Sequence, residues 1–141
     1  MPFSRSLVVA VAVQLVSQLF KVVFYSAKER HFRPDYFIST GGMPSAHTAF
    51  VTALTVSLGL HHGFASEFFA VAFVFSVIVV YDLVRVRGAV HAHSQILAML
   101  LEQVRLRKTV VLPHLVGHTI SEILAGLGVG CGAAAAAYYL I

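Results

Sequence analysis

Charge is what this sequence has least of. Asp, Glu, Lys and Arg make up 11% of its 141 residues, where a soluble domain carries about 25%, so the chain lacks the polar surface that such a domain presents to water. It has one cysteine, Cys131, set among Gly and Ala, which excludes a disulfide and a thiolate metal cage within one chain. No proline- or glycine-rich linker divides the sequence and no internal repeat of useful period stands out, although "AAAAA" near the end is low in complexity. Residues 1–141 are therefore read as one domain.

Apolar residues fill the space left by charge. They make up 58% of the chain, with a mean hydropathy of +0.84, and they gather in four stretches: Leu7 to Ala27, Thr48 to Leu60, Phe64 to Val84 and Ile120 to Ile141. Three reach the roughly 20 residues that span a bilayer. The second, at about 1.5 Å per residue, covers only about 20 Å. The composition predicts an all-α integral membrane bundle of four transmembrane helices. Arg5 followed by "LVVAVAV" has the start of a signal peptide, but the apolar run continues past any plausible cleavage site and is read as a span.

Four crossings in turn place Lys21, Lys28, Arg30, Arg33, Arg85, Arg87, Arg105, Arg107 and Lys108 on one side and Arg5 alone on the other. The excess of basic residues marks that face as cytoplasmic and the termini as external, although a site that holds an anion would gather cations for its own reason. In the long third loop, "SQILAMLLEQVRL" sets Ile96, Leu97, Leu100, Leu101 and Val104 at helical spacing. This predicts a short interfacial helix near residues 94–107, with an ordinary helix packed on the bundle as the alternative.

Polar residues inside apolar segments usually face the bundle interior. "GGMPSAH", Gly41 to His47, leads into the short second stretch, whose first N–H groups must face protein or a watery cavity because lipid cannot satisfy them. Gln14, Gln18 and Lys21 recur at i, i+4 and i+7 and Lys28 continues the stripe, while His118 and Glu122 stand four apart. Each alone has a structural explanation: glutamines join helices, a lysine snorkels, a His–Glu pair is a packing contact. Their convergence on one membrane face is the stronger evidence. A helix N-terminus beside fixed cations suits a phosphate or another tetrahedral oxyanion. One imidazole can attack phosphorus while the other protonates the leaving oxygen, and a carboxylate behind the attacker holds its tautomer. Such a site needs neither metal nor cofactor.

These segments, "GGMPSAHT", "YDLVRVR" and "GHTISEILAG", resemble those of the divergent branch of the type-2 phosphatidic acid phosphatase and vanadium haloperoxidase superfamily. The likeness runs from about Gln18 to Gly130. The resemblance implies that Lys21 opens the first motif, with Lys28 in place of its Arg and Glu29 in place of its Pro. It implies that Ser45 and the backbone near Ala46 bind phosphate, that His47 is the general acid, and that His118 is the nucleophile oriented by Glu122. Leu112 and Val111 stand where the third motif has Arg and Ser. Arg87 is the candidate for the missing charge, and Arg85 a weaker one.

Three functions follow as expectations. The first is a membrane phosphatase acting on a lipid phosphate or diphosphate, its apolar tail lying between helices. The second is a non-catalytic lipid-phosphate binder or assembly subunit that keeps the fold. The third is a metal site using His91, His93, His114 and His118, which lacks a carboxylate beside the first pair and is interrupted by Pro113 and Gly117 at the second. Membrane lipid is the expected partner and nucleic acid is not; oligomerisation is left open. The glycines at 126, 128, 130 and 132 give overlapping small-xxx-small pairs, expected to pack inside the bundle.

Overall fold

The computed structural model describes residues 4–37, 42–103 and 119–140, without the side chains of residues 35, 86, 87, 91 and 102. The described residues form four α-helices and one 3-10 turn: α1 (Arg5–Glu29), the turn Pro34–Phe37, α2 (Ala46–His62), α3 (Glu67–Gln103) and α4 (Ile120–Leu140). No strand occurs among them.

Helix boundaries follow local chemistry. No glycine or proline lies within α1, and its end falls at Arg30, whose φ of 53° is left-handed and whose N–H returns to the Ser26 carbonyl. Ser45 caps α2 by accepting the Thr48 N–H, and Gly63, at φ 87°, follows its last residue. Ser66 accepts the Phe69 N–H at the start of α3.

α2 is the axle. It packs on α1, α3 and α4, and α1 also touches α4. Its interior positions are small: Ala46, Ala49, Ala53 and Gly59 are buried together with Thr48, Thr52, Thr55 and Ser57. Lipid offers helices no hydrophobic reason to associate, so close approach and interhelical hydrogen bonds take over. Ser57 donates to Ser6 of α1 at 3.0 Å, and Thr55 and Ser76 share a 2.7 Å bond across α2 and α3. Gly126 and Gly130 supply the closest approach. A Cβ at Gly126 would stand 2.6 Å from the Ser45 carbonyl oxygen, and one at Gly130 2.7 Å from that of Ala49. Gly128 and Gly132 meet nothing within 4 Å, so one glycine pair packs inside and the other faces outward.

Three helices, α1, α3 and α4, are long and apolar enough to cross a membrane. The 17 residues of α2 reach about 25 Å, short of the roughly 30 Å hydrocarbon core. The expected interfacial helix near 94–107 is not a separate element as far as it is described: residues 94–103 are the last turns of α3, and 104–107 lie outside the described residues. Nothing between Glu67 and Gln103 breaks a helix, since Gly88 is the only glycine and the next proline is Pro113.

Candidate anion-binding site

The loop before α2 is clasped to the end of α1. Tyr25 stacks on Tyr36, with centroids 4.4 Å apart and planes 5° from parallel. Tyr25 Oη accepts the Met43 N–H at 3.4 Å, and its ring occupies the space a Cβ at Gly42 would need, at 3.0–3.3 Å. Gly42 has a φ of +89°, a second reason for glycine there. Glu29 holds Tyr36 in place by accepting its hydroxyl at 3.1 Å and by pairing with Arg33. The Arg33 guanidinium also lies 5.0 Å over the Tyr36 ring. Burial, and then the bond to Glu29, raise the Tyr36 pKa, so this hydroxyl stays a donor.

Ser45 is where the clasp delivers the chain. It is fully buried, its N–H donates to the Glu122 carbonyl of α4 at 3.0 Å, and its Oγ accepts from the Thr48 N–H at 3.4 Å and the Thr48 hydroxyl at 3.0 Å. A serine hydroxyl has two lone pairs and one proton. Both acceptor positions are engaged, so what Ser45 can offer a ligand is a donated O–H. Ala46, also fully buried, begins the helix, whose N-terminal end carries partial positive charge. His47 follows it, half-buried.

Lys21 comes from α1 to the same seam. Its side chain is 0% exposed, and its Nζ has no hydrogen-bond partner. Glu122 attracts it electrostatically, yet the two make no ion pair among the described residues. One and two turns deeper on the same stripe, the amide oxygens of Gln18 and Gln14 are buried and also lack partners. An ammonium removed from water and left unpaired costs several kcal/mol. A group of opposite charge resolves that cost, and the donor set of Lys21, the Ser45 O–H and the α2 N-terminus calls for an oxyanion.

The other expected residues divide. Glu122 joins the site through its carbonyl, while its carboxylate Oε2 accepts the Thr119 N–H at 3.0 Å and Thr119 Oγ1 accepts the Glu122 N–H at 3.4 Å. This reciprocal pair is a capping box, a role its spacing from His118 did not suggest. His118 and Leu112 lie outside the described residues. Lys28 is exposed on the last turn of α1, about 10 Å beyond Lys21 along the axis. Arg87 lies in α3, its side chain outside the described set. The contacts of Thr55 with Ala72 and Ser76 fix the antiparallel register of α2 and α3. Counting back from Thr55 to Ser45, and equally far forward on α3, arrives at Asp82–Val86, so Arg85 stands level with Ser45 and Arg87 one residue past. Of the four histidines weighed as metal ligands, His93 is exposed on α3; His114, His118 and the His91 side chain lie outside the described residues.

Sequence reasoning missed Thr48, Thr119 and the Tyr25–Tyr36 clasp. The patterns Ser45-x-x-Thr48 and Thr119-x-x-Glu122 were signals for the first two. The stack joins positions with no common period, and nothing in the sequence marks it.

Three membrane-length helices packed around a short, capped fourth define an integral membrane protein. The chain belongs to the Divergent PAP2 family, matched over residues 3–133, as the segments "GGMPSAHT", "YDLVRVR" and "GHTISEILAG" imply, and it is phosphatase-like in that sense. It is similar to the uncharacterized membrane protein YuiD of Bacillus subtilis strain 168, 40% identical over 86 residues, which cover 61% of this chain and 53% of that protein. The chain thus spans about half the length of the curated relative it matches. No solved structure matches the chain.

Proposed function

We propose that the protein is a membrane phosphatase that hydrolyses a lipid phosphate or diphosphate at the start of α2. The observation that supports this most is the Lys21 ammonium, fully buried and unpartnered, in a seam where Ser45 can still donate. In this reading Lys21, Ser45 and the backbone near Ala46 hold the phosphoryl oxygens, with Arg87 or Arg85 adding the bidentate donor that Leu112 cannot. A His118 nitrogen attacks phosphorus, the bond to the leaving oxygen breaks, and His47 gives that oxygen its proton. Water then attacks the phosphohistidine and passes a proton back to His47, releasing phosphate and restoring both imidazoles. Glu122 steadies the charge that forms on His118. Fixed cations stabilise the negative charge spread over the equatorial oxygens.

The residues at positions 111 and 112 favour a second reading. With Val111 and Leu112 where the wider superfamily has Ser and Arg, the fold could bind a lipid phosphate without turning it over. Phosphate release by detergent-purified protein from a panel of prenyl and glycerolipid phosphates, with EDTA present, separates the two. Release that His118→Ala abolishes supports the phosphatase; saturable binding with no release in the wild type contradicts it and leaves the binder.

A further inference from the structure

The structure holds a second feature, leading away from the Ser45 end of α2, that fits a ligand. A groove of about 710 Å³ runs along α2 and α3, with Leu127 of α4 in its wall. Among the described residues, Arg85 is the one ionised residue that lines it. Of the hydroxyls that line it, those of Thr55 and Ser76 are engaged with the Val51 and Ala72 carbonyls, and Thr52 and Tyr81 add two more. The groove wall is therefore largely apolar, with Tyr81 and Arg85 toward the end level with Ser45.

Phe64 and Phe69 stand at the far end. Phe64 and Phe69 meet edge to face at 5.1 Å, and Phe64 is seated directly on α2 because Gly59 has no side chain: a Cβ there would stand 2.5 Å from the Phe64 ring and 3.1 Å from that of Phe69. From Arg85 to Phe69 along α3 the groove extends about 24 Å, whereas one leaflet of the hydrocarbon core is about 15 Å deep. A chain that fills the groove must therefore pass the bilayer midplane, and chains that stop within one leaflet leave the lower part to solvent-free contact with other lipid.

We propose that this groove takes the single hydrocarbon chain of an anionic lipid whose head group lies at Arg85 and Ser45, and that Phe64, backed by Phe69, sets the longest chain accepted. The proposal rests on the lipid-phosphate reading of the site and adds to it which groove holds the chain and which residues measure it. Anionic charge matches Arg85, and the paired Phe64 and Phe69 rings give the groove a bulky far wall. The chain is either linear or isoprenoid, since both offer the wall only apolar contact.

Competition binding in nanodiscs tests this, with n-alkyl phosphates of increasing length in one arm and isoprenyl phosphates of matching lengths in the other. With concentrations counted per bilayer lipid, where a methylene already lies in hydrocarbon and gains little on entering the groove, wild-type affinity should hold up to one chain length and fall beyond it. Phe64→Ala should move that break to longer chains, as should Phe69→Ala if Phe64→Ala fails to give a cooperative unfolding transition. Arg85→Gln should weaken every length by the same factor and leave the break where it was. A wild type that binds lipid phosphates with no break, or a break that neither folded variant moves, overturns the chain-length proposal alone. Failure of every lipid phosphate to bind the wild type overturns both the proposal and the function it rests on.

Discussion

Lys21 carries most of the argument at the scale of single residues. Its position was legible because a lysine at i+7 from Gln14 inside an apolar run has to face the interior, and Ser45 was legible as the polar start of a short helix. Glu122 was harder. Four residues from His118, it has the spacing of a pair on one helix face, but the helix begins only at Ile120, so the carboxylate sits in the first turn and closes a capping box. Burying an ammonium without a partner makes the ligand-free protein less stable than it need be. Lys21→Met should therefore raise the unfolding midpoint of the ligand-free protein by several degrees, at about 2–4 °C per kcal/mol, while removing the further stabilisation that a lipid phosphate gives the wild type. Thermal unfolding with and without ligand reads both effects. A Lys21→Met variant that ligand still stabilises as fully as the wild type would place the anion elsewhere.

The four apolar stretches became four helices because hydrocarbon leaves the backbone no other way to satisfy itself, so existence and order were readable at the scale of elements. The reach of α3 was not. Its apolar run stops near Val84, but helix formation does not need apolar residues, and Arg85 to Gln103 continue in residues that favour helix. The glycines of α4 show a similar limit: the small-xxx-small pattern marks close packing, yet not which of two overlapping pairs meets a neighbour. Gly126→Ala and Gly130→Ala should each destabilise by about 1–3 kcal/mol, because the new methyl meets a carbonyl oxygen and a threonine Cβ that belong to the packed α2. Gly128→Ala should be neutral or stabilise by up to about 1 kcal/mol, since it adds helix propensity in open space. Chemical unfolding in mixed micelles distinguishes the three, and equal losses at Gly126 and Gly128 would contradict the packing described.

For the molecule as a whole, the arrangement joins the proposed oxyanion site to the end of the bundle where basic residues gather. Lys28, Arg30, Arg33 and Arg85 all lie toward the end of the bundle where α2 starts, and on the proposed reading the same charges would attract an anionic head group and hold that end on the cytoplasmic side. Orientation is open to direct measurement. In a Cys131→Ala background, His31→Cys should react with a membrane-impermeant maleimide only in inside-out vesicles, and His62→Cys only in right-side-out ones. The reverse pattern would turn the site outward and leave the anion site as the sole reason for the basic face.

Family membership and the buried cation together make hydrolysis through a histidine the claim on which the account turns, and a covalent intermediate tests it most directly. Wild-type protein mixed briefly with a lipid phosphate radiolabelled at phosphorus, then quenched in base, should carry label that is stable to alkali, lost in acid and mapped to the peptide containing His118. The label should be absent in His118→Ala and should accumulate if His47→Ala slows the water step more than the first. Undiminished phosphate release by His118→Ala, or a wild type that binds the lipid but gives neither label nor phosphate, would contradict the account.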